Sequence, residues 1–85
     1  MKLTVLYFAS LREAVGCARE DLTVPPEVST AGALRAYLRE RDVVWRDALA
    51  EDKAIRMAVD QAMAHADTAL REGAEVAFFP PVTGG

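Results

Sequence analysis

The residues with the clearest chemical potential stand together at the end of the sequence, Pro80-Pro81-Val82-Thr83-Gly84-Gly85. Two prolines directly after Phe78-Phe79 predict an extended, polyproline-like exit, because the ring fixes φ and removes the backbone donor. Val82-Thr83 continue that path, and Gly84-Gly85 end it with no side chains to obstruct a narrow channel. Six extended residues span on the order of 20 Å, enough to carry a terminal carboxylate into another protein's cleft. With no Cβ beside it, the carboxyl carbon of Gly85 is open to attack once activated. The plain alternative is a frayed chain end. Fraying alone does not predict two prolines after an apolar strand and a closing glycine pair.

The rest of the chain is short of catalytic parts. His65 is the sole histidine and has no neighbour in sequence that marks it as a base or ligand. Cys17 follows a helix-stopping glycine rather than opening a helix that would lower its pKa, and reads as structural. Asp21, Glu27, Asp47, Glu51 and Asp52 are scattered and read as solvated surface. The only glycine pair is the terminal one, so no phosphate-cradling loop is present, and no metal or resident cofactor is expected.

The elements that must position the tail fit in one domain, residues 1–79, with 80–85 as a flexible tail. At 85 residues the chain is near the lower end of what folds alone. With 52% hydrophobic and 27% charged residues it has the balance of an ordinary globular protein. A net charge of −3 gives no reason to expect nucleic acid or an anionic membrane as partner. One cysteine and no signal-like opening segment fit a reducing, cytoplasmic setting.

Lys2 to Phe8 has strand composition, with Leu3, Val5 and Tyr7 on one face and Thr4, Leu6 and Phe8 on the other. Ser10 is a candidate cap for a short helix, Leu11 to Val15, which Gly16 stops. Arg19 to Val24 alternates as a second strand that Pro25-Pro26 ends. The clearest helix runs from Ala31 to Arg41, with Thr30 as cap and Gly32 weakening its first turn. Leu34, Tyr37, Leu38 and Arg41 share its stripe. Val44, Trp45, Ala48 and Leu49 suit a further helical turn packing beneath. Ile55 to Val59 is a third strand and Asp60-Gln61 a turn. In Ala62 to Leu70 the alanines favour helix, while the context favours a short strand and loop. Glu72-Gly73 turns the chain into a last strand, Glu75 to Phe79. The order predicts an α+β domain, a mixed sheet of four to five strands packed on one main helix.

The segment Glu75-Val76-Ala77-Phe78-Phe79-Pro80-Pro81-Val82-Thr83-Gly84-Gly85 closely resembles the end of the small subunit of molybdopterin synthase. Val5-Leu6-Tyr7-Phe8-Ala9-Ser10-Leu11-Arg12-Glu13 resembles that family's first strand and following turn, and the resemblance covers essentially the whole chain. It implies a ubiquitin-like β-grasp fold and a sulfur carrier for molybdenum cofactor biosynthesis. In that family an E1-like enzyme adenylates the terminal carboxylate with ATP. A sulfur-donor persulfide protein then supplies the sulfur of a thiocarboxylate, here at Gly85 next to Gly84. The large synthase subunit receives the tail, Pro80 to Thr83 included, and a cyclic pyranopterin accepts the sulfur. The implied assembly is a heterotetramer of two small and two large subunits. The resemblance also places Phe8, Met63 and Phe79 on a docking face and Arg12 near partner surfaces. The residues themselves leave core and interface both open for Phe8 and Phe79.

Other functions remain compatible with the sequence. A ubiquitin-like modifier joined through Gly85 to lysines, or a thiamine-pathway sulfur carrier, would share the chemistry up to the adenylate. A passive binding domain with an incidental tail would not need Gly85 at all.

Overall fold

The computed structural model describes residues 1–81, so the tail expectations for 82–85 lie outside the described residues. Alternation in the sequence becomes a sheet with one deeply buried face. In β1 (Lys2–Tyr7), Leu3, Val5 and Tyr7 are buried while Thr4 and Leu6 point to the other side. β1 pairs antiparallel with β2 (Arg19–Thr23), from Lys2 opposite Thr23 to Leu6 opposite Arg19. On its other edge it runs parallel to β5 (Glu75–Phe79), with Tyr7 opposite Phe78. β5 is antiparallel to β3 (Arg56–Val59), and β3 to β4 (Ala62–Ala64). The five strands lie in the order β2-β1-β5-β3-β4, which puts the strand that leads into the tail at the centre.

Helices cover the buried face. α2 (Ala31–Arg39) is the main one, and Thr30 caps it by accepting from the Ala33 amide at 3.1 Å. Ala31, Leu34 and Leu38 face the core. Each leucine removed from water contributes roughly 1.5–3 kcal/mol. α2 stops at Arg39, two residues short of the expected Arg41, and Tyr37 stays partly exposed at the margin of its stripe. α3 (Val43–Ala48) is capped by Asp42, which accepts from the Trp45 amide. Trp45, Ala48 and Leu49 pack inward as expected, but Val44 does not: it sits with Val43 on the outer side of the first turn.

α1 (Ala9–Val15) also differs from expectation at its start. Ser10 is not its cap; the helix begins two residues earlier than expected, at Ala9 with Phe8 as its cap residue, and the Phe8 carbonyl accepts from the Leu11 amide. Ala9 takes φ 53°, left-handed for a residue with a Cβ, and this bend re-aims the chain from β1 into the helical layer. Gly16 ends α1 at φ 78°, as its position predicted.

Residues 62–70 form a strand and loop, not a helix. Asp60 and Gln61, at φ 51° and 68°, make a two-residue hairpin turn between Val59 and Ala62. The loop then docks against the start of α2. The Gly32 amide donates to the Ala66 carbonyl at 2.8 Å and the Ala31 amide to Thr68 at 3.0 Å. A Cβ on Gly32 would lie 2.9 Å from both the Cβ and the carbonyl oxygen of Ala66. The glycine that weakens a helix on propensity is therefore required by close backbone approach.

Candidate functional site

The site is built on the sheet face that no helix covers. Because β-strand side chains alternate, the registers define a row across all five strands: Arg19, Leu6, Ala77, Ala58 and Met63. One step toward the tail, Phe79 lies opposite Arg56, and Phe8 follows Tyr7 beside it. Phe8 is 45% exposed and Met63 61%, so neither is a core residue. Phe79 is half-buried on the same face. Phe8, Met63 and Phe79 are thus brought together, joined by Leu6, Ala58 and Ala77. Sequence reasoning missed these three, although their alternation with Tyr7, Met57 and Phe78 carried the signal.

Pro80 and Pro81 leave the sheet at this margin, and both are half-buried. Pro80 lines a shallow cleft with Ser10, Leu11 and Lys53; Pro81 lines another with Ile55, Arg56 and Met63. The root of the tail is seated between the helical layer and the open face. Arg12 is exposed on α1, in the helical layer rather than on the open face. Val82, Thr83, Gly84 and Gly85 lie outside the described residues.

Behind β5 a polar network ties the layers together. The Tyr7 hydroxyl donates to Glu20 Oε2 at 2.7 Å, and Arg41 grips both Glu20 oxygens, Nη1 to Oε2 at 2.9 Å and Nη2 to Oε1 at 2.8 Å. The guanidinium lies 4.4 Å from the Trp45 ring centroid, and Tyr7 meets Trp45 edge-on at 5.3 Å and Phe78 in a stack at 6.1 Å. Burial, then the bond to Glu20, pushes the Tyr7 phenol far above its ordinary value. For Glu20, burial acts upward, but the bonds from Arg41 and Tyr7 and the Arg41 charge outweigh it and hold the carboxyl below its usual range. Burial, with Glu20 nearby, pushes the Cys17 thiol up. A neutral thiol is a poor nucleophile. His65 is exposed, and its backbone amide donates to Thr68 Oγ1. Among the described residues no group of three or more His, Cys, Asp or Glu side chains could hold a metal ion. No helix among them is long and apolar enough to cross a membrane.

A five-stranded mixed sheet with a main helix on one face, and a chain end leaving its central strand, defines a ubiquitin-like β-grasp domain. Its uncovered face is apolar at the root of a glycine-ended tail. Residues 5–85 match the ThiS family, and the chain belongs to that family. It is 42% identical to the molybdopterin synthase sulfur carrier subunit of Escherichia coli over 83 residues, covering 98% of this chain and 99% of that one. In overall shape it is similar to SAMP1 of Haloferax volcanii, with a TM-score of 0.82 at 24% identity over the whole of both chains. It is also similar to a chain from the complex of subunits 1 and 2 of the molybdopterin-converting factor of Helicobacter pylori. There the TM-score is 0.65 at 23% identity, again over the whole of both chains.

Proposed function

We propose that this protein is the sulfur-carrying small subunit of a molybdopterin synthase, with the Gly85 carboxylate as its working group. The observation that carries the reading is the 42% identity to a sulfur carrier subunit along nearly the full length of both chains. The geometry supports it: the tail root leaves the central strand on a face that carries exposed Phe8 and Met63 and half-buried Phe79. A carrier needs no catalytic side chains of its own.

In this reading an E1-like enzyme lets the Gly85 carboxylate attack the α-phosphate of ATP, releasing pyrophosphate. The resulting mixed anhydride has AMP as a leaving group, which a free carboxylate lacks. The terminal sulfur of a donor protein's persulfide attacks the acyl carbon and AMP departs. A thiol then cleaves the acyl disulfide, leaving the thiocarboxylate on Gly85 and a disulfide on the donor side. The large subunit receives the tail, with Pro80 and Pro81 holding it extended and Val82 to Gly84 fitting a narrow channel. The sulfur passes to the cyclic pyranopterin precursor, and hydrolysis restores the carboxylate. Phe8, Met63 and Phe79 dock the domain, and Arg12 borders the partner surface.

The test is the intact mass of the chain after incubation with the activating enzyme of the same genome, ATP and a persulfide source. Exchange of one oxygen for sulfur, mapped to Gly85 and dependent on ATP, is expected. No such species with an enzyme active on another carrier would overturn the reading. Isopeptide adducts in its place would make the protein a modifier.

A further inference from the structure

We propose that Arg56 is a specificity-determining residue of the docking face, which seats a carboxylate of the large subunit and so sets the orientation in which the tail is delivered. The inference rests on the docking reading above and names the chemistry that the partner must supply.

Arg56 stands opposite Phe79 in the β3–β5 ladder and shares the Pro81 cleft with Met63. It is exposed, and its neighbours on that face are apolar. Two other cations lie on the face: Lys2 at the far end of β1, and Arg19, which lies 4.0 Å from Asp21, itself an acceptor from the Thr4 hydroxyl. Arg56 has no carboxylate within salt-bridge distance and no side-chain hydrogen bond among the described residues. β4 beside it, Ala-Met-Ala, offers no acid. Asp60 and Glu75 sit at the other end of β3 and β5, and Asp60 is engaged there as acceptor for the Glu75 amide at 3.0 Å.

An interface that buries Phe79 and Met63 must therefore dry the guanidinium between them. A dehydrated charge without a partner is strongly unfavourable, whereas a carboxylate matches the planar fork in two parallel bonds. Arginine set among aromatic and apolar neighbours is the usual composition of an energetic centre in an interface. The face is also polar end to end: Arg56 marks the tail end, and Asp21, Glu75 and Asp60, with Lys2 as the one base among them, leave the far end net acidic, roughly 13 Å along the strands. A partner with an acid at the mouth of its tail-receiving cleft and a base farther away fits in one direction only. Reversed, it would set like charges together.

The experiment measures binding of the full chain to the large subunit of the same genome by calorimetry, across a series of salt concentrations. Arg56→Gln is expected to weaken binding about 30-fold and to flatten its salt dependence, with the thermal midpoint unchanged. Arg56→Lys should recover part of the loss. Arg56→Glu should bind more weakly still and be restored by reversing a single carboxylate of the large subunit. Phe79→Ala with Met63→Ala is the control for docking itself. If that pair loses binding while Arg56→Gln keeps wild-type affinity and salt slope, the role of Arg56 is overturned and the docking face stands. If the pair binds as wild type does, the docking face falls, and the inference with it.

Discussion

Gly32 offers a test in which helix propensity and packing oppose each other. On propensity alone, Gly32→Ala in the first turn of α2 should stabilise the protein by about 1 kcal/mol. In the structure the new Cβ would meet the Ala66 Cβ and carbonyl oxygen at 2.9 Å and the Ala66 Cα at 3.1 Å. Two of those three atoms are backbone, so no rotamer change relieves the contact, and the loop must move. Overpacking of this kind costs roughly 1–3 kcal/mol. Moving the loop also strains the Gly32–Ala66 and Ala31–Thr68 hydrogen bonds, each worth about 1 kcal/mol. Against the gain in propensity, the net expectation is a loss of about 1–3 kcal/mol. For a domain of this size that lowers the thermal midpoint by on the order of 10 °C. Calorimetric unfolding measures it, and hydrogen exchange at the Ala31 and Gly32 amides locates it. Adding Ala66→Gly removes only the Cβ contact and should restore part of the loss. A higher midpoint for Gly32→Ala would refute the reasoning, because it would mean that the loop does not lean on the helix.

Glu20 should make stability fall in acid. Its carboxyl is held below the ordinary 4.5 in the folded state, so the unfolded chain takes up the proton first. The contribution is complete above that value and is lost as pH falls through the lower, folded one. Urea unfolding of wild type and Glu20→Gln from pH 7 to pH 3 should show a stability gap that is constant at first and closes below about pH 4.5. Tyr7 gives the opposite limb. Its phenol is raised in the folded state, so stability present below pH 10 should decline above it, and Tyr7→Phe should flatten that decline. Cys17, with its thiol raised by burial, should react with iodoacetamide several-fold more slowly in the native protein than in urea at the same neutral pH.

What could be read from the sequence was whatever depends on local pattern. Leu3-Val5-Tyr7 and Val76-Phe78 alternate, so their strands were legible, but apolar residues on both sides of β1 left open which face is buried. Thr30 and Gly16 bracket helices through cap chemistry that acts within a few residues. Ala62 to Leu70 was legible only from its context as a short strand and loop, against the helix propensity of its alanines, because its state is decided by partners far away in sequence: β4 exists through pairing with Met57 to Val59, and Ala66 and Thr68 answer to α2. The turn before it was read at the right residues, Asp60-Gln61, although their positive φ has no glycine to announce it. Ser10 looked like a cap because its hydroxyl suits that role, but the left-handed bend at Ala9 had already started the helix. The site divides the same way. The tail motif was visible as residues, whereas exposure of Phe8 and Met63 required knowing that no second layer covers the sheet. Arg56 drew no attention, since a single arginine entering a strand acquires meaning only from Phe79 across the ladder.

The placement of β5 has a mechanical consequence. A partner that draws the tail into a cleft pulls along the axis of β5, and that strand is gripped on both edges, by β1 in parallel and by β3 in antiparallel register. Load applied in this direction is sheared across two ladders at once, so many hydrogen bonds must fail together. The edge strand β4, held on one side over three residues, could instead be unzipped bond by bond. A load on the end of β5 is thus resisted by the centre of the sheet rather than by its weakest edge.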